Sequence, residues 1–369
     1  MRIIYFSILI LFLLSCNHTS EEYFITGRLK FKIKDYHGAI EDFQKALEIN
    51  PKNDSVLIYS GAAKYKLKDY KGAIHYFNKI IEINPNSSSA YLNRGSSKNL
   101  LHDYNGAIKD YCKVIEINPN SSDAYYNRGN TYSNIKKYNE SILDFNKAIE
   151  IDPKYVSAYL NRGHSKDALK DYLGAIEDYN KTIEIDPKKA VSYFSRGNSK
   201  DKLKNYNGAI ADYSKAIELN SNYSNAFYNR AMVKVSLQDY NGAIADFNQT
   251  IKINPKDCDA YLNRGNSKLY IQDYRGSLTD YSKAIEINPN DAEFYNNRGL
   301  LLSELNDNEN AIKDFNKALK INPYFGDVYF NRGISEINLG QKKCGCIDLK
   351  KAEELGVSDA SEIINKNCK

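Results

Sequence analysis

The sequence lacks the residue patterns that most enzyme active sites require. No phosphate-binding GxxxxGK, no GxSxG and no HExxH pattern occurs in the chain. The five histidines are scattered without the spacing of metal ligands. Aspartate and glutamate are abundant, but they recur with the repeat described below, so two close carboxylates are more simply explained as solvated residues than as a glycosidase pair. We therefore expect no catalytic residues, no metal and no cofactor.

Long apolar runs and blocks of one charge are also missing. The main apolar stretch, residues 3–14, is twelve residues long, whereas a membrane-spanning helix needs about 20. The 51 lysine and arginine residues are interspersed with 46 aspartate and glutamate residues, and this mixture gives no basic face for nucleic acid. We therefore expect neither nucleic acid nor a small-molecule substrate as a partner.

Proline occurs only eight times, and always at the same phase of a 34-residue repeat. In the copy that covers residues 88–121, two sets of residues, within 91–101 and 104–115, follow the i, i+3, i+4, i+7 spacing of a helix. Pro119 follows the second set and prevents the helix from continuing. Each copy is therefore predicted to be a helical hairpin, which must stack on other copies because it cannot bury its apolar faces alone.

Small and aromatic residues at fixed positions characterise the repeat further. Counting Ser88 as position 1, Gly95 and Ala107 hold the small positions, and aromatic residues such as Tyr111 recur beside them. At these positions the chain resembles the tetratricopeptide repeat (TPR) family. The resemblance covers ten units, from residue 20 to about 359. It implies an all-α fold, a right-handed α-solenoid superhelix of ten helical hairpins with a C-terminal capping helix.

The repeat and its borders divide the chain into four segments. We expect a lipoprotein signal peptide in residues 1–15, a lipidated tether in 16–19, the array of ten repeats in 20–357 and a capping helix in 358–369. Ser358 is expected to be the N-cap of that last helix, which would cover the exposed face of repeat ten. Atypical first and last repeats agree with this division, because the ends of a stacked array have only one neighbour.

The amino-terminal residues 13–16, Leu-Leu-Ser-Cys, resemble the lipobox of bacterial lipoproteins. The resemblance implies cleavage before Cys16, acylation of Cys16 and attachment to a membrane of the bacterial cell envelope, with the outer membrane expected. The alternative is an uncleaved amphipathic or core helix, but the stretch has no polar face. Because the tether is short, the first repeat should lie close to the membrane surface.

Arginine and aspartate recur at positions 7 and 23 of the repeat. Position 7 is Arg94, Arg128, Arg162, Arg196, Arg230, Arg264, Arg298 and Arg332. Position 23 is Asp42, Asp110, Asp144, Asp178, Asp212, Asp246, Asp280, Asp314 and Asp348. Repeat two lacks both residues, so pairing each aspartate with the arginine of the next repeat would leave Arg94 facing Tyr76. We therefore predict ion pairs within repeats, the alternative being an exposed, solvated pair of little energetic value.

The inner face of the first helix of each repeat carries a ladder of amides. Helical geometry places positions 2, 5, 6, 9, 12 and 13 on this face. The asparagines at positions 6 and 9 are Asn93, Asn127, Asn130, Asn161, Asn198, Asn229, Asn263, Asn266, Asn297 and Asn331. We predict that they bind the main chain of an extended peptide, whose N–H and C=O groups also repeat. The alternative is that Asn-Arg-Gly is only the local form of this repeat.

Two other positions on this face bear on the ligand. Position 5 carries Tyr126, Phe194 and Tyr228, which would supply apolar pockets or platforms for sugar rings. Position 2 is neutral to acidic, and this disfavours capture of a free C-terminal carboxylate.

Of the six cysteines, three cluster at the carboxyl end. Cys344 and Cys346 point in different directions on a helix and cannot both face the cap. Because Cys346 takes a position that is expected to be buried in the other repeats, we predict a disulfide between Cys346 and Cys368, with free buried thiols as the alternative. A zinc site is not expected, because no histidine lies nearby as a fourth ligand.

These features predict a non-enzymatic protein-interaction scaffold. It would be a membrane-anchored TPR lipoprotein that binds an extended polypeptide segment in its concave groove and acts in envelope assembly or secretion. The alternative is a glycan-binding envelope lipoprotein that uses the aromatic residues of the same groove.

Overall fold

The structure, a computed structural model, describes residues 19–368, and all regular elements in that range are α-helices. The chain forms two compact units, the first ending at Pro187 and the second beginning at Lys188. The helices of the first unit are α1 (Ser20–Lys32), α2 (Tyr36–Ile49), α3 (Asp54–Lys66), α4 (Tyr70–Ile83), α5 (Ser88–Leu100), α6 (Tyr104–Ile117), α7 (Ser122–Asn134), α8 (Tyr138–Ile151), α9 (Val156–Ala168) and α10 (Tyr172–Ile185). Those of the second unit are α11 (Ala190–Lys202), α12 (Tyr206–Leu219), α13 (Ser224–Ser236), α14 (Tyr240–Ile253), α15 (Cys258–Tyr270), α16 (Tyr274–Ile287), α17 (Ala292–Glu304), α18 (Asn308–Ile321), α19 (Gly326–Asn338), α20 (Lys342–Glu354) and α21 (Ala360–Asn367).

Consecutive helices pair as antiparallel hairpins in both units. Helix α1 packs against α2, α3 against α4, and the same pairing continues to α19 and α20. Within a unit, the second helix of each hairpin also packs against the first helix of the next hairpin. This arrangement confirms the all-α fold of stacked hairpins that the repeat predicts.

The turn inside each hairpin is fixed by residues that recur at the same positions. In repeat three, His102 has a φ of 62°, and the N–H of Asp103 donates to the carbonyl of Lys98 at 2.9 Å, which closes α5. Asp103 then caps α6, because its Oδ1 accepts the N–H of Gly106 at 2.9 Å. The same two residues therefore end one helix and begin the next.

Glycine at position 8 lets the two helices of a hairpin approach closely. A Cβ atom at Gly163 would lie 2.6 Å from Cε1 of Tyr179, whose side chain is fully buried between α9 and α10. Because the ring lies directly over the glycine, a side chain at this position would displace it and disrupt the hairpin.

The arginines and aspartates form ion pairs within repeats, as predicted. In repeat three, Nε and Nη2 of Arg94 donate to the two carboxylate oxygens of Asp110 at 2.9 and 2.6 Å. The same pairing joins Arg128–Asp144, Arg162–Asp178, Arg196–Asp212, Arg230–Asp246, Arg264–Asp280, Arg298–Asp314 and Arg332–Asp348. Asp110 is only 3% exposed, and the other paired aspartates are buried as well. The alternative of a solvated pair is therefore wrong.

Seven of these arginines also link their repeat to the preceding repeat of the same unit. In repeat five, Nη1 of Arg162 donates to Oδ1 of Asn146 at 2.6 Å, and the guanidinium lies 5.4 Å from the centre of the Tyr159 ring. Lys166 pairs with the same Asp178 at 2.9 Å, so one buried carboxylate holds two cations. Because Arg162 directly follows Asn161 in the sequence, this network fixes how α9 presents its asparagine.

A short helix closes the carboxyl end of the second unit, where α21 packs against α20. The prediction that Ser358 caps this helix is wrong. The N-cap is Asp359, and the Ser358 hydroxyl donates to the Asp359 carboxylate at 3.0 Å instead of accepting a backbone N–H. A disulfide joins Cys346 and Cys368 with their Cα atoms 5.7 Å apart. Cys346 is half-buried rather than buried, and the oxidation state of this pair in the isolated protein stays a prediction.

The expected signal peptide in residues 1–15 and the expected lipid attachment at Cys16 lie outside the described residues. Within residues 19–368, no helix combines the length and the apolar character that crossing a membrane requires.

Candidate functional site

Asparagines of neighbouring repeats lie side by side on the first helices of their hairpins. In the first unit, Nδ2 of Asn161 donates to Oδ1 of Asn130 at 2.7 Å and to Oη of Tyr126 at 3.1 Å. In the second unit, Nδ2 of Asn229 donates to Oδ1 of Asn198 at 2.9 Å. Both amide–amide bonds span 31 residues, so they join successive repeats rather than successive turns of one helix.

Buried tyrosines donate hydrogen bonds to two of the predicted asparagine side chains. Oη of Tyr213 donates to Oδ1 of Asn198 at 2.8 Å, and Oη of Tyr281 donates to Oδ1 of Asn266 at 2.7 Å. Burial raises the pKa of both phenols, so they keep their protons at neutral pH and remain donors. Since a phenol O–H donates to an amide oxygen, these bonds also set which end of each amide faces outward.

The other predicted asparagines are engaged to different degrees. Nδ2 of Asn263 donates to Oη of Tyr228 at 3.0 Å, and Nδ2 of Asn331 donates to Oδ1 of Asn296 at 3.1 Å. The predicted asparagines without a side-chain hydrogen bond inside residues 19–368 are Asn93, Asn127 and Asn297. Some asparagines of the amide ladder are therefore hydrogen-bonded to a neighbouring repeat, and others have free side chains within this range.

Each joined pair of asparagines keeps one acceptor and one donor for a ligand. The amino group of Asn161 donates to Asn130, whereas its Oδ1 accepts no hydrogen bond within the described part of the chain. Asn130 accepts through Oδ1, and its amino group has no acceptor in the same range. Asn229 and Asn198 repeat this arrangement in the second unit. A C=O next to an NH₂ is the complement of a peptide group.

Three predicted asparagines of the second unit border one cleft of about 380 Å³. The cleft is lined by Val235, Asn263, Asn266, Ser267, Leu269, Tyr270, Tyr281, Asn297 and Leu300. Tyr270 is 64% exposed and stacks on Tyr240, with ring centres 4.5 Å apart and planes 8° apart. The cleft therefore has an amide wall and an apolar wall.

Sequence reasoning found the amide wall of this cleft and missed the apolar one. The signal was present, because positions 9 and 13 are polar in many repeats but hold Leu300 and Tyr270 here. An interruption of the repeat pattern by exposed apolar residues marks a site where the repeat no longer serves packing alone.

Exposed carboxylates lie on the same face of the second unit as the asparagines. Asp259, Glu293 and Asp327, at position 2 of three successive repeats, are exposed. None of them forms an ion pair within residues 19–368. The face therefore favours a ligand with positive charge over one with a free carboxylate, in line with the sequence analysis.

The predicted aromatic residues are packed against the protein rather than open to solvent. The ring centre of Tyr126 lies 4.8 Å from that of Tyr155, and the ring centre of Phe194 lies 4.8 Å from that of Tyr223. Tyr228 meets Phe247 edge-on at 5.7 Å. All three predicted residues are half-buried, so their rings support the neighbouring amides and leave little flat surface for a sugar.

The described part of the chain offers no metal site. Within residues 19–368, no three His, Cys, Asp or Glu side chains lie close enough together to hold a metal ion. Three cysteines in that range, Cys112, Cys258 and Cys344, carry free thiols.

Comparison with known proteins adds to this description. One structural relative is the C-terminal part of a TPR repeat-containing protein from Cytophaga hutchinsonii, 18% identical, with a TM-score of 0.55 over 65% of this chain and 98% of that one. YrrB, described as a TPR protein with an unusual peptide-binding site, is 22% identical, with a TM-score of 0.46 over 52% of this chain and 98% of that one. MamA is 27% identical, with a TM-score of 0.42 over 46% of this chain and 92% of that one. No curated protein is significantly similar to the sequence.

Four family models of the tetratricopeptide repeat match the sequence. The first matches residues 122–155, 190–223 and 292–325, and the second matches 101–136, 233–270 and 265–305. The third and fourth match residues 32–93 and 156–189. Together the matched segments cover well over half of the chain, and the chain belongs to the tetratricopeptide repeat family.

Proposed function

We propose that this protein is a non-enzymatic scaffold that binds an extended polypeptide segment on the asparagine-bearing face of its units. The observation that carries the proposal is the joined amide pair, Asn130 with Asn161 in the first unit and Asn198 with Asn229 in the second. Each pair leaves a carbonyl oxygen and an amino group for a ligand, and an extended main chain offers an N–H and a C=O at every residue.

Pre-orientation makes these amides effective binding groups. A free asparagine side chain loses rotamer freedom when it binds, whereas Asn198 is already held by Tyr213 and Asn229 at 2.8 and 2.9 Å. A neutral hydrogen bond contributes only about 0.5–1.5 kcal/mol net. Affinity therefore has to come from several amides acting together, which suits a repeat that presents them at regular intervals.

The cleft of the second unit indicates which side chains the segment carries. Its apolar wall, with Leu300 39% and Tyr270 64% exposed, fits an apolar side chain of the ligand. The exposed carboxylates at Asp259, Glu293 and Asp327 fit lysine or arginine nearby. We therefore propose a ligand segment that combines an apolar residue with basic ones.

A glycan ligand is less well supported by the same face. Sugar recognition through stacking needs an open aromatic face, and the rings of Tyr126 and Phe194 already lie against Tyr155 and Tyr223. The exposed ring of Tyr270 is stacked on Tyr240, which covers one of its two faces. A peptide ligand uses the amides instead, which remain available.

The membrane anchor is part of the proposed function. The lipobox-like residues 13–16 support acylation at Cys16, attachment to a bacterial envelope membrane and a role in envelope assembly or secretion. Metabolic labelling with a fatty-acid analogue tests this, and Cys16→Ala is expected to accumulate as unlabelled precursor. Label retained by that variant would contradict the anchor.

The peptide-binding proposal is tested by crosslinking followed by titration. A photo-crosslinking residue at position 266 would identify the bound segment in envelope extract, and a synthetic peptide of that segment would then be titrated. The double variant Asn198→Ala/Asn229→Ala is expected to weaken binding at least tenfold, because it removes a pre-oriented donor and acceptor. The matched control is Asn207→Ala, an exposed asparagine on α12 of the same unit. Equal affinity of the double variant and the control would refute the proposal.

A further inference from the structure

Helix α1 exposes an apolar side chain at a repeat position that is buried in every later repeat. Leu29 stands at position 10 and is 60% exposed. The residues at position 10 of the other repeats are all buried, namely Ala63, Ser97, Thr131, Ser165, Ser199, Val233, Ser267, Leu301 and Ser335. At position 14 the difference is one of degree, because Ile33 is 75% exposed and Leu203 is 42% exposed. Within a unit, a later first helix packs against the second helix of the preceding hairpin, and α1 has no such neighbour in the described part of the chain.

Basic residues border this apolar face. Arg28, Lys32 and Lys34 are exposed and form no ion pair within residues 19–368. They line a cleft of about 630 Å³ together with Ile25 and Leu29. The acidic residues of α1, Glu21 and Glu22, lie in its first turn, so the last two turns present apolar and cationic side chains together.

One of these cations is held in place by aromatic rings. The guanidinium of Arg28 lies 5.5 Å from the centre of the Phe24 ring and 5.4 Å from that of Tyr59. Lys30, on the other side of the helix, is bound to Asp42 at 2.8 Å and turns away from the cleft. The cleft therefore combines a fixed positive group with an apolar wall.

We propose that this face of α1, made of Ile25, Leu29 and Ile33 with Arg28, Lys32 and Lys34, docks on an anionic lipid surface. The inference rests on the proposed anchor at Cys16. Ser20 follows Cys16 by four residue steps, which span at most about 14 Å, and Leu29 lies roughly 14 Å further along the helix. An acylated Cys16 would thus keep the face within reach of the bilayer.

The chemistry of the face matches a lipid interface. Leucine and isoleucine side chains enter the boundary between headgroups and acyl chains, while lysine and arginine extend toward lipid phosphates. Basic residues near an anionic membrane add an attraction that falls with ionic strength. The other possible occupants are residues 3–14 of the same chain, a second copy and an acidic peptide, and the test separates the lipid surface from these.

The absence of tryptophan gives a direct measurement. Leu29→Trp introduces a single reporter on the docking face. Leu143→Trp is the matched control, because Leu143 is 65% exposed on α8 of the same unit. Full-length protein purified with its lipid would be reconstituted into vesicles of phosphatidylcholine and anionic phosphatidylglycerol. The acyl chains would be brominated in one set of vesicles and unbrominated in the other.

The proposal predicts a blue-shifted emission for Leu29→Trp and at least twofold quenching by the brominated chains. The control is expected to keep a water-like, unquenched emission. Adding Arg28→Glu, Lys32→Glu and Lys34→Glu should abolish the quenching of Leu29→Trp.

Flotation of the same samples distinguishes the proposed lipid anchor at Cys16 from the proposed docking of α1. Protein that does not float with the vesicles refutes both. Protein that floats while the emission of Leu29→Trp stays water-like refutes the docking alone. A blue shift already present without vesicles shows that protein covers the face and also overturns the docking.

Discussion

At the carboxyl end of the second unit α21 lies against α20, whereas at the amino end of the first unit α1 leaves Leu29 and Ile33 exposed. In the first case the chain covers its own last hairpin, with Ala360 fully buried and Cys368 bonded to Cys346. In the second case the corresponding surface is apolar and bordered by cations. A stacked hairpin buries its apolar surface only where another element covers it, and among the described residues the chain provides that cover at the carboxyl end but not at α1.

The buried aspartates differ between the ends in a related way. Asp178 in repeat five holds both Arg162 and Lys166, whereas Asp42 in repeat one holds Lys30 alone. Repeat one has Thr26 instead of arginine at position 7. The position-7 arginine also donates to the preceding repeat, as Arg162 does to Asn146, and repeat one has no preceding repeat in the described part of the chain.

The largest expected effect tests this difference between interior and end. Asp178→Ala leaves two cations partly buried without a counter-ion, which costs about 3–5 kcal/mol. Asp42→Ala frees only Lys30, which can turn into water, and is expected to cost about 1 kcal/mol or less. Hydrogen exchange should show lost protection in α9 and α10 for the first variant and little change in α1 and α2 for the second. Equal losses would mean that the aspartates are equivalent.

A second pair of variants compares one repeat position in two surroundings. Leu301→Ala removes a side chain that is 1% exposed, while Leu29→Ala removes one that is 60% exposed. The first change is expected to destabilise by about 2–5 kcal/mol through the cavity it leaves. The second should stay within about 0.5 kcal/mol. Urea unfolding followed by circular dichroism measures both, and a large loss for Leu29→Ala in the absence of lipid would show that α1 is covered in solution.

The disulfide is expected to hold α21 in place at the carboxyl end. Cys346 and Cys368 are 22 residues apart in sequence, and closing a loop of this size is worth roughly 3 kcal/mol in the chain-entropy model. Cys346→Ser is therefore expected to lower the exchange protection of α21 by more than tenfold and to leave the first unit unchanged. Cys344→Ser is the control, because Cys344 carries a free thiol.

Peptide mapping without reductant checks the bond itself. A peptide that joins Cys346 to Cys368 is expected from protein purified from the envelope. A Cys344–Cys368 peptide, or free Cys346 and Cys368 in folded protein, would contradict the assignment.

The smallest expected effect concerns Glu336, which stands where most interior repeats have lysine beside the aspartate. Burial, together with the nearby Asp348, raises its pKa above the ordinary value of 4.5. A raised pKa means that the folded state binds the proton more tightly, so stability falls as the pH rises from 4.5 through the raised pKa. Glu336→Gln should therefore stabilise repeat ten at pH 8, by less than about 1 kcal/mol because the residue is partly exposed, and should have no effect below about pH 4. Melting curves of both proteins at the two pH values measure this, and a gain that persists at low pH would contradict the cause given.

Much of the fold could be predicted because it depends on local periodicity. The 34-residue period, the turn at His102 and Asp103 and the proline stop are all read from spacing along one or two helices. The ion pairs within repeats could also be predicted, because repeat two lacks both partners and so distinguishes the two pairings. The cap at Ser358 could not, since its hydroxyl binds the neighbouring Asp359 instead of the helix, and either residue is a good cap by type.

The sequence alone therefore determined the helices, their pairing and the residues on each helix face, because a helix repeats every 3.6 residues and a hairpin needs only neighbouring segments. Which groups on those faces remain available for a ligand could be learned only from the packing of the helices. Asn161 bonds to a residue 31 positions away, and Tyr126 packs against Tyr155, which lies just before the next repeat's first helix. Leu29 is exposed, whereas Leu301 is buried at the same repeat position. These outcomes depend on what packs against each helix, and packing partners are set by the stacking of hairpins rather than by the spacing within one.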